Sequence, residues 1–158
     1  MKKLLLSGLV LFFTVQAFAQ AKLLSYDDIN YLLHNNISKA DTFFNAKGYT
    51  LAKKDEKKKL RSYALNINGG TYNKVNLRSD GKRLYIEIDT NEPAQYNMIY
   101  NSIAQYVDKQ STNDDVQLFK VKDVGEIYIM TNDGGALSPI RKEYYIRIAS
   151  DKSITAYN

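Results

Sequence analysis

The sequence predicts an α+β fold: two α-β-β-β repeats forming one antiparallel six-stranded sheet with two helices on one face. Three observations predict it. Apolar residues recur at helical spacing in two stretches, one opening near Ser25 and one near Pro93. Each stretch is followed by three short runs in which apolar and polar residues alternate, the mark of half-buried strands. Gly69-Gly70, Asp80-Gly81 and Asn132-Asp133-Gly134-Gly135 punctuate those runs as turns. A sheet with helices on one side leaves its other side to water, which fits alternation rather than continuous apolar strands.

The first element is an export signal. Lys2 and Lys3 precede an apolar run from Leu4 to Val15, broken only by Ser7, Gly8 and Thr14, and Ala17-Phe18-Ala19 then supplies an A-x-A cleavage site. A spanning helix needs ~20 apolar residues, more than this run offers. Residues 1–19 are therefore expected to be a cleaved signal peptide and 20–158 a single α+β domain with no transmembrane segment after processing. The two-lysine start and A-x-A site have a bacterial character, so the expected location is the periplasm or the extracellular medium.

Ser25 to Lys47 predicts one helix. Ser25 and Asp28 have the spacing of a capping box, and Leu24 and Ile29 that of a hydrophobic staple. Ile29, Leu32, Leu33, Ile37, Ala40, Phe43 and Phe44 share a face, and Gly48 ends the helix with Tyr49 placed to fold back on Phe44. Strands are expected at Tyr63–Ile67, around Val75 and Leu77, and at Leu84–Ile88, with Asp80-Gly81 as a two-residue hairpin turn. Thr90 or Asn91 caps the second helix, Pro93 suits its first turn, and Tyr96, Ile99, Ile103 and Tyr106/Val107 form its stripe. Strands then follow at Val116–Lys122, Ile127–Thr131 and Ile140–Ala149. The repeats are residues 25–89 and 90–150.

In element order across the whole mature chain, this arrangement resembles the tandem-repeat fold of β-lactamase inhibitory proteins and PepSY-like exported modules. The resemblance implies an exported binder or inhibitor that uses an open sheet face, and it transfers no individual residue. The inhibitor repeats carry disulfides, whereas this chain has no cysteine. An exported domain without disulfides depends on its hydrophobic core, and ~140 residues suffice for one.

Catalytic chemistry finds little support. The chain has one histidine, His34, on the polar side of the first helix. With no second histidine and no cysteine, the common zinc sites and Cys-His arrangements are excluded, and the solvent-facing placement of the lone His34 argues against a Ser-His-Asp triad. Asp27-Asp28 suit a helix N-terminus, Asp114-Asp115 and Asp133 suit loops, and Asp89-x-Asn91 opens like a calcium loop that Pro93 breaks. The expectation is a non-enzyme with no catalytic residue, no metal and no cofactor. A small carboxylate-dependent hydrolase is the third choice. Nucleic acid is not an expected partner, since no recognition motif is present and the net charge of +5 drops to +3 without Lys2 and Lys3. The charge is uneven: residues 22–87 hold 13 basic and 7 acidic groups, residues 88–158 hold 7 and 10.

Two surface features carry the binding expectation. Strand alternation places Tyr72, Lys74, Asn76, Arg78, Arg83, Tyr85, Glu87, Tyr128, Met130, Arg141, Glu143, Tyr145 and Arg147 away from the helices. Of these, Tyr72, Arg78, Tyr85, Tyr128, Met130, Tyr145 and Arg147 are the candidate partner-binding residues, being types enriched at protein interfaces. The same residues also make good cross-strand pairs on a half-exposed sheet. The second feature is a basic patch of Lys53, Lys54, Lys57, Lys58, Lys59 and Arg61, expected in a solvated loop or hairpin tip, with a docking patch for an acidic protein or an anionic lipid surface as its functional alternative. The leading expectation is thus a module that binds another protein, such as an inhibitor or immunity protein. The alternative is a small-ligand or envelope-polymer binder with a cavity lined by Phe43, Phe44, Tyr96, Tyr100 and Tyr144.

Overall fold

The computed structural model describes residues 22–113, 115–133 and 142–154. The signal peptide, Asp114, Gly134-Gly135 and Arg141 lie outside the described residues. Among the described residues the protein is α+β, with three helices and one fully antiparallel sheet of seven strands.

The first helical stretch is two helices, not one: α1 (Tyr26–Leu33) and α2 (Ile37–Ala46). The Ser25–Asp28 capping box forms as expected. The break comes at His34–Asn36, where Asn36 takes an extended conformation and its side chain accepts from the Lys39 N–H, capping a new helix. Leu33 and Ile37 are four residues apart, so the apolar stripe runs through the break and periodicity alone does not reveal it. Gly48 follows α2 at φ +82, the Tyr49 N–H donates to the Phe44 carbonyl at 2.9 Å, and the Tyr49 ring meets Phe44 at 5.2 Å.

The sheet has one more strand than expected. β1 (Thr50–Asp55) precedes β2 (Leu60–Ile67), β3 (Thr71–Ser79) and β4 (Leu84–Thr90). β5 (Val116–Val121), β6 (Gly125–Asn132) and β7 (Glu143–Ser150) follow α3 (Pro93–Ile103). The strand order is β1-β2-β3-β4-β7-β6-β5, so two meanders join at β4 and β7. The first half is therefore α-α-β-β-β-β and only the second is α-β-β-β.

Two turn expectations change. The β3–β4 connection is a four-residue loop rather than a two-residue turn, because the Asp80 carboxylate accepts from the Lys82 and Arg83 N–H groups at 2.8 and 2.7 Å. This puts Arg83 in the loop, off the strand. Glu92 caps α3 instead of Thr90 or Asn91, its Oε1 accepting from the Ala94 N–H at 3.1 Å. Thr90 and Asn91 are committed elsewhere: the Thr90 hydroxyl donates to the Tyr72 carbonyl, and Asn91 accepts from the Tyr72 N–H and donates to the Gly70 carbonyl.

The core lies between helices and sheet. Val75, Leu77, Ile86, Ile88, Ile127 and Ile146 from the strands meet Ile29, Leu33, Phe44, Ile99 and Ile103 from the helices. Tyr106, expected in the α3 stripe, is exposed in a 3-10 turn beyond the helix, and Val107 is half-buried. Buried polar residues tie the layers together. Gln95 on α3 accepts from the Leu24 N–H at 2.8 Å and donates to the Leu24 carbonyl at 2.7 Å, as a neighbouring strand would. Asn73 donates to both Gln95 Oε1 and the Tyr49 hydroxyl, each at 2.6 Å. A buried polar group is costly unless bonded, and this network bonds each backbone group of Leu24.

Candidate functional site

The sheet face opposite the helices is built by alternation and by register. β7 pairs Tyr145 with Met130 and with Asp89, and Arg147 with Tyr128 and with Glu87. β3 pairs Arg78 with Tyr85. One row across the sheet thus reads Ala64, Lys74, Asp89, Tyr145, Met130, Val116, and the next reads Ser62, Asn76, Glu87, Arg147, Tyr128, Leu118. Adjacent strands stand ~4.8 Å apart, so these side chains form one continuous surface. Tyr72, Arg78, Tyr85, Tyr128, Met130, Tyr145 and Arg147 all lie on it, with Arg78 exposed and the rest half-buried.

Most of these side chains are already held by neighbours. Glu143 accepts from the Tyr72 hydroxyl at 3.1 Å and from the Tyr145 hydroxyl at 2.5 Å. Tyr128 donates to Glu126 at 2.6 Å and Tyr85 to Asp80 at 3.1 Å. Arg147 pairs with Asp89 at 2.5 Å and stacks over Tyr145 at 5.6 Å. Arg78 lies over Tyr85, and Lys74 over Tyr72, each at 5.0 Å. Asp89 is one of several residues that sequence reasoning left off this face, together with Glu126 beside Tyr128. Asp89 stands two positions beyond Glu87, so the same alternation places it there.

The hydrogen bonds to carboxylates leave a titration signature. Burial, followed by the Glu143 hydrogen bond, pushes the Tyr72 hydroxyl up to about 12. The Tyr128 and Tyr145 hydroxyls are also raised, first by their bonds to Glu126 and Glu143. A raised phenol holds its proton in the fold where the unfolded chain has released it. Its stabilisation is therefore complete below pH ~10 and is lost as pH rises through about 12. The thermal midpoint is expected to fall over that interval, less steeply in Tyr72→Phe. Ultraviolet phenolate absorbance gives a direct check, and normal titration of Tyr72 would refute the account.

The basic patch assembles only in part. Lys53 and Lys54 lie on β1, and Lys57, Lys58 and Lys59 occupy the β1–β2 turn, all exposed. Arg61 points the other way. It is 3% exposed, bonds Glu56 through Nη2 at 3.1 Å and approaches Asp41 at 3.6 Å through Nε. Ser62 and Leu60 take the outward positions on that part of β2, so alternation turns Arg61 inward.

No known protein family, curated protein or solved structure matches this chain. His34 is exposed on the C-terminal end of α1 and its Nδ1–H donates to the Asn30 carbonyl. Among the described residues no three His, Asp or Glu side chains gather as a metal site, and no helix is long and apolar enough to cross a membrane. The aromatics considered as a ligand cavity stack on one another. Phe44 packs on Tyr63 at 4.0 Å and edge-on to Phe43 at 5.3 Å, while Tyr96 stacks on Tyr100 at 5.1 Å and on Tyr144 at 4.5 Å. A groove of about 240 Å3 remains beside Tyr96 and Tyr144, with Asp115, Gln117, Thr131 and Lys142 giving it a mainly polar wall.

Proposed function

We propose that this chain is an exported, non-catalytic protein-binding module that contacts its partner through the outer face of the sheet, blocking the partner by occlusion. Export rests on the leader pattern at residues 1–19. The observation that carries the binding proposal is the gathering of Tyr72, Arg78, Tyr85, Tyr128, Met130, Tyr145 and Arg147 on one half-exposed surface. Tyrosine and arginine give large contact area with polar ends. Their bonds to Glu143, Glu126 and Asp80 orient the rings before binding, which lowers the ordering cost of association. The stacking of Phe43, Phe44, Tyr96, Tyr100 and Tyr144 favours this function over a cavity-based ligand binder.

The test is to recover the partner from the native envelope by co-purification and mass spectrometry, then to measure affinity for variants. Tyr85→Ala, Tyr128→Ala and Tyr145→Ala should each keep the fold, and the one at the contact centre should weaken binding by ~2 kcal/mol, about thirtyfold. His34→Ala should leave affinity unchanged. If all three tyrosine variants bind normally while charge reversal at Lys57, Lys58 and Lys59 abolishes binding, the sheet face is not the site.

A further inference from the structure

The two edges of the sheet are treated differently. Beyond β5 the chain runs alongside the strand: Val107 bridges to Phe119, the Asp108 N–H donates to the Leu118 carbonyl at 2.8 Å, and the Asn113 N–H donates to the Val116 carbonyl at 3.0 Å. That edge is covered. β1 is the last strand on the other side, and among the described residues no backbone–backbone hydrogen bond reaches it from outside β2; the Lys58 N–H meets only the Asp55 carboxylate. Every second N–H and C=O of a strand points away from its partner, so β1 offers a row of backbone groups for pairing.

Beside this edge lies a groove of about 480 Å3 between α2 and β1. Thr42 and Asn45 line it from α2, and Tyr49, Leu51 and Tyr63 from the sheet side. Leu51 is 48% exposed, one of few large apolar side chains left open to water. Asp41 at the groove is held by the Tyr63 hydroxyl at 2.6 Å. The charge around the edge is positive. Lys53 and Lys54 lie on β1 and Lys57, Lys58 and Lys59 continue into the turn. Lys54 pairs with Glu56 at 2.8 Å, while among the described residues the other four make no ion pair.

An open edge supplies backbone pairing, a neighbouring groove receives alternate side chains, and the lysines select charge. We infer that β1 is a strand-addition site for an acidic extended segment of another protein, which seats an apolar side chain against Leu51. A second copy of this chain is a poor occupant, because pairing β1 with β1 brings two lysine clusters together. The bulge between Leu51 and Lys53 and the lysines themselves hinder indiscriminate pairing, which leaves the edge selective. This site is separate from the outer face and does not depend on it.

The experiment selects random short peptides, displayed on a surface, on the folded secreted protein. Selected peptides should alternate apolar residues with Asp or Glu, lose affinity as salt rises, and protect the amides of residues 50–55 from hydrogen exchange. Leu51→Asp, and separately the charge reversal of Lys53, Lys54 and Lys57 to Glu, should each weaken the selected peptide at least about tenfold. His34→Ala should not. No enrichment of acidic sequences, protection that appears elsewhere, or unchanged affinity in both edge variants would overturn the proposal. Failure here leaves the outer-face reading intact, because that reading is tested by the tyrosine variants against the native partner.

Discussion

Gly125→Ala is expected to destabilise the protein by about 4 kcal/mol or more, read as a lowered urea midpoint. A Cβ built on Gly125 would sit 2.2 Å from the Ala149 carbonyl oxygen, 2.6 Å from the Asp151 nitrogen and 2.8 Å from the Ser150 carbonyl carbon. These are backbone atoms of β7 and its exit. β7 is the strand that joins the two meanders and is paired on both sides, so it has no free direction in which to yield. Relief requires β6 to part from β7 at the Gly125–Ser150 pair and to loosen the Asp151 N–H bond to the Val124 carbonyl. The φ of +121 adds strain for any residue with a Cβ. Gly81 is the internal comparison. Its φ is +85 but nothing stands within 4 Å of its Cβ position, so Gly81→Ala should cost only about 1 kcal/mol. Equal effects at the two glycines would show that the contact with β7 is not what matters.

Phe44→Ala should cost about 4 kcal/mol. Phe44 is fully buried, stacked on Tyr63 and met edge-on by Tyr49 and Phe43. Its ring joins α2 to β2 and to the residues leading into β1, so truncation leaves a cavity walled by other rings. Those walls are anchored: the Tyr63 hydroxyl donates to Asp41 and the Tyr49 hydroxyl accepts from Asn73. Collapse into the space would break these bonds, so the void persists and the full cavity cost is felt. Equilibrium unfolding measures the loss, and a small apolar solute such as benzene should restore part of it by filling the cavity. A change below about 1 kcal/mol would mean that this cluster is not the core.

The outer sheet face shows how a binding surface and a stabilised sheet use the same chemistry. The contacts of Arg147 with Asp89 and Tyr145, and of Arg78 with Tyr85, are cross-strand or same-strand pairs of the kind that stabilise a sheet by themselves. What distinguishes a contact surface is the effect of truncation on a partner rather than on the fold, which is why the tyrosine variants must be read by both affinity and stability.

Much of the architecture was legible because it is local. The Ser25–Asp28 box, the Gly48 stop and the alternation in six strands are set by residues a few positions apart. The α+β class and the Tyr/Arg face follow from them. Other features rest on partners far along the chain. β1 has no apolar alternation because it lies exposed at the edge, and only backbone pairing with β2 makes it a strand. Gln95 and Asn73 are polar residues in the core because Leu24 and Tyr49 arrive there to bond them, and Arg61 is buried because Glu56 and Asp41 surround it. The break between α1 and α2 turns on whether Asn36 caps a helix or continues one, two uses of the same residue that the uninterrupted stripe does not separate. By itself the sequence determined the spacing of apolar residues and hence which face of each element meets the core. Only the tertiary structure decided which strands meet, which edge stays open and which polar groups are buried, because each depends on free energy gained between segments that are distant in the chain.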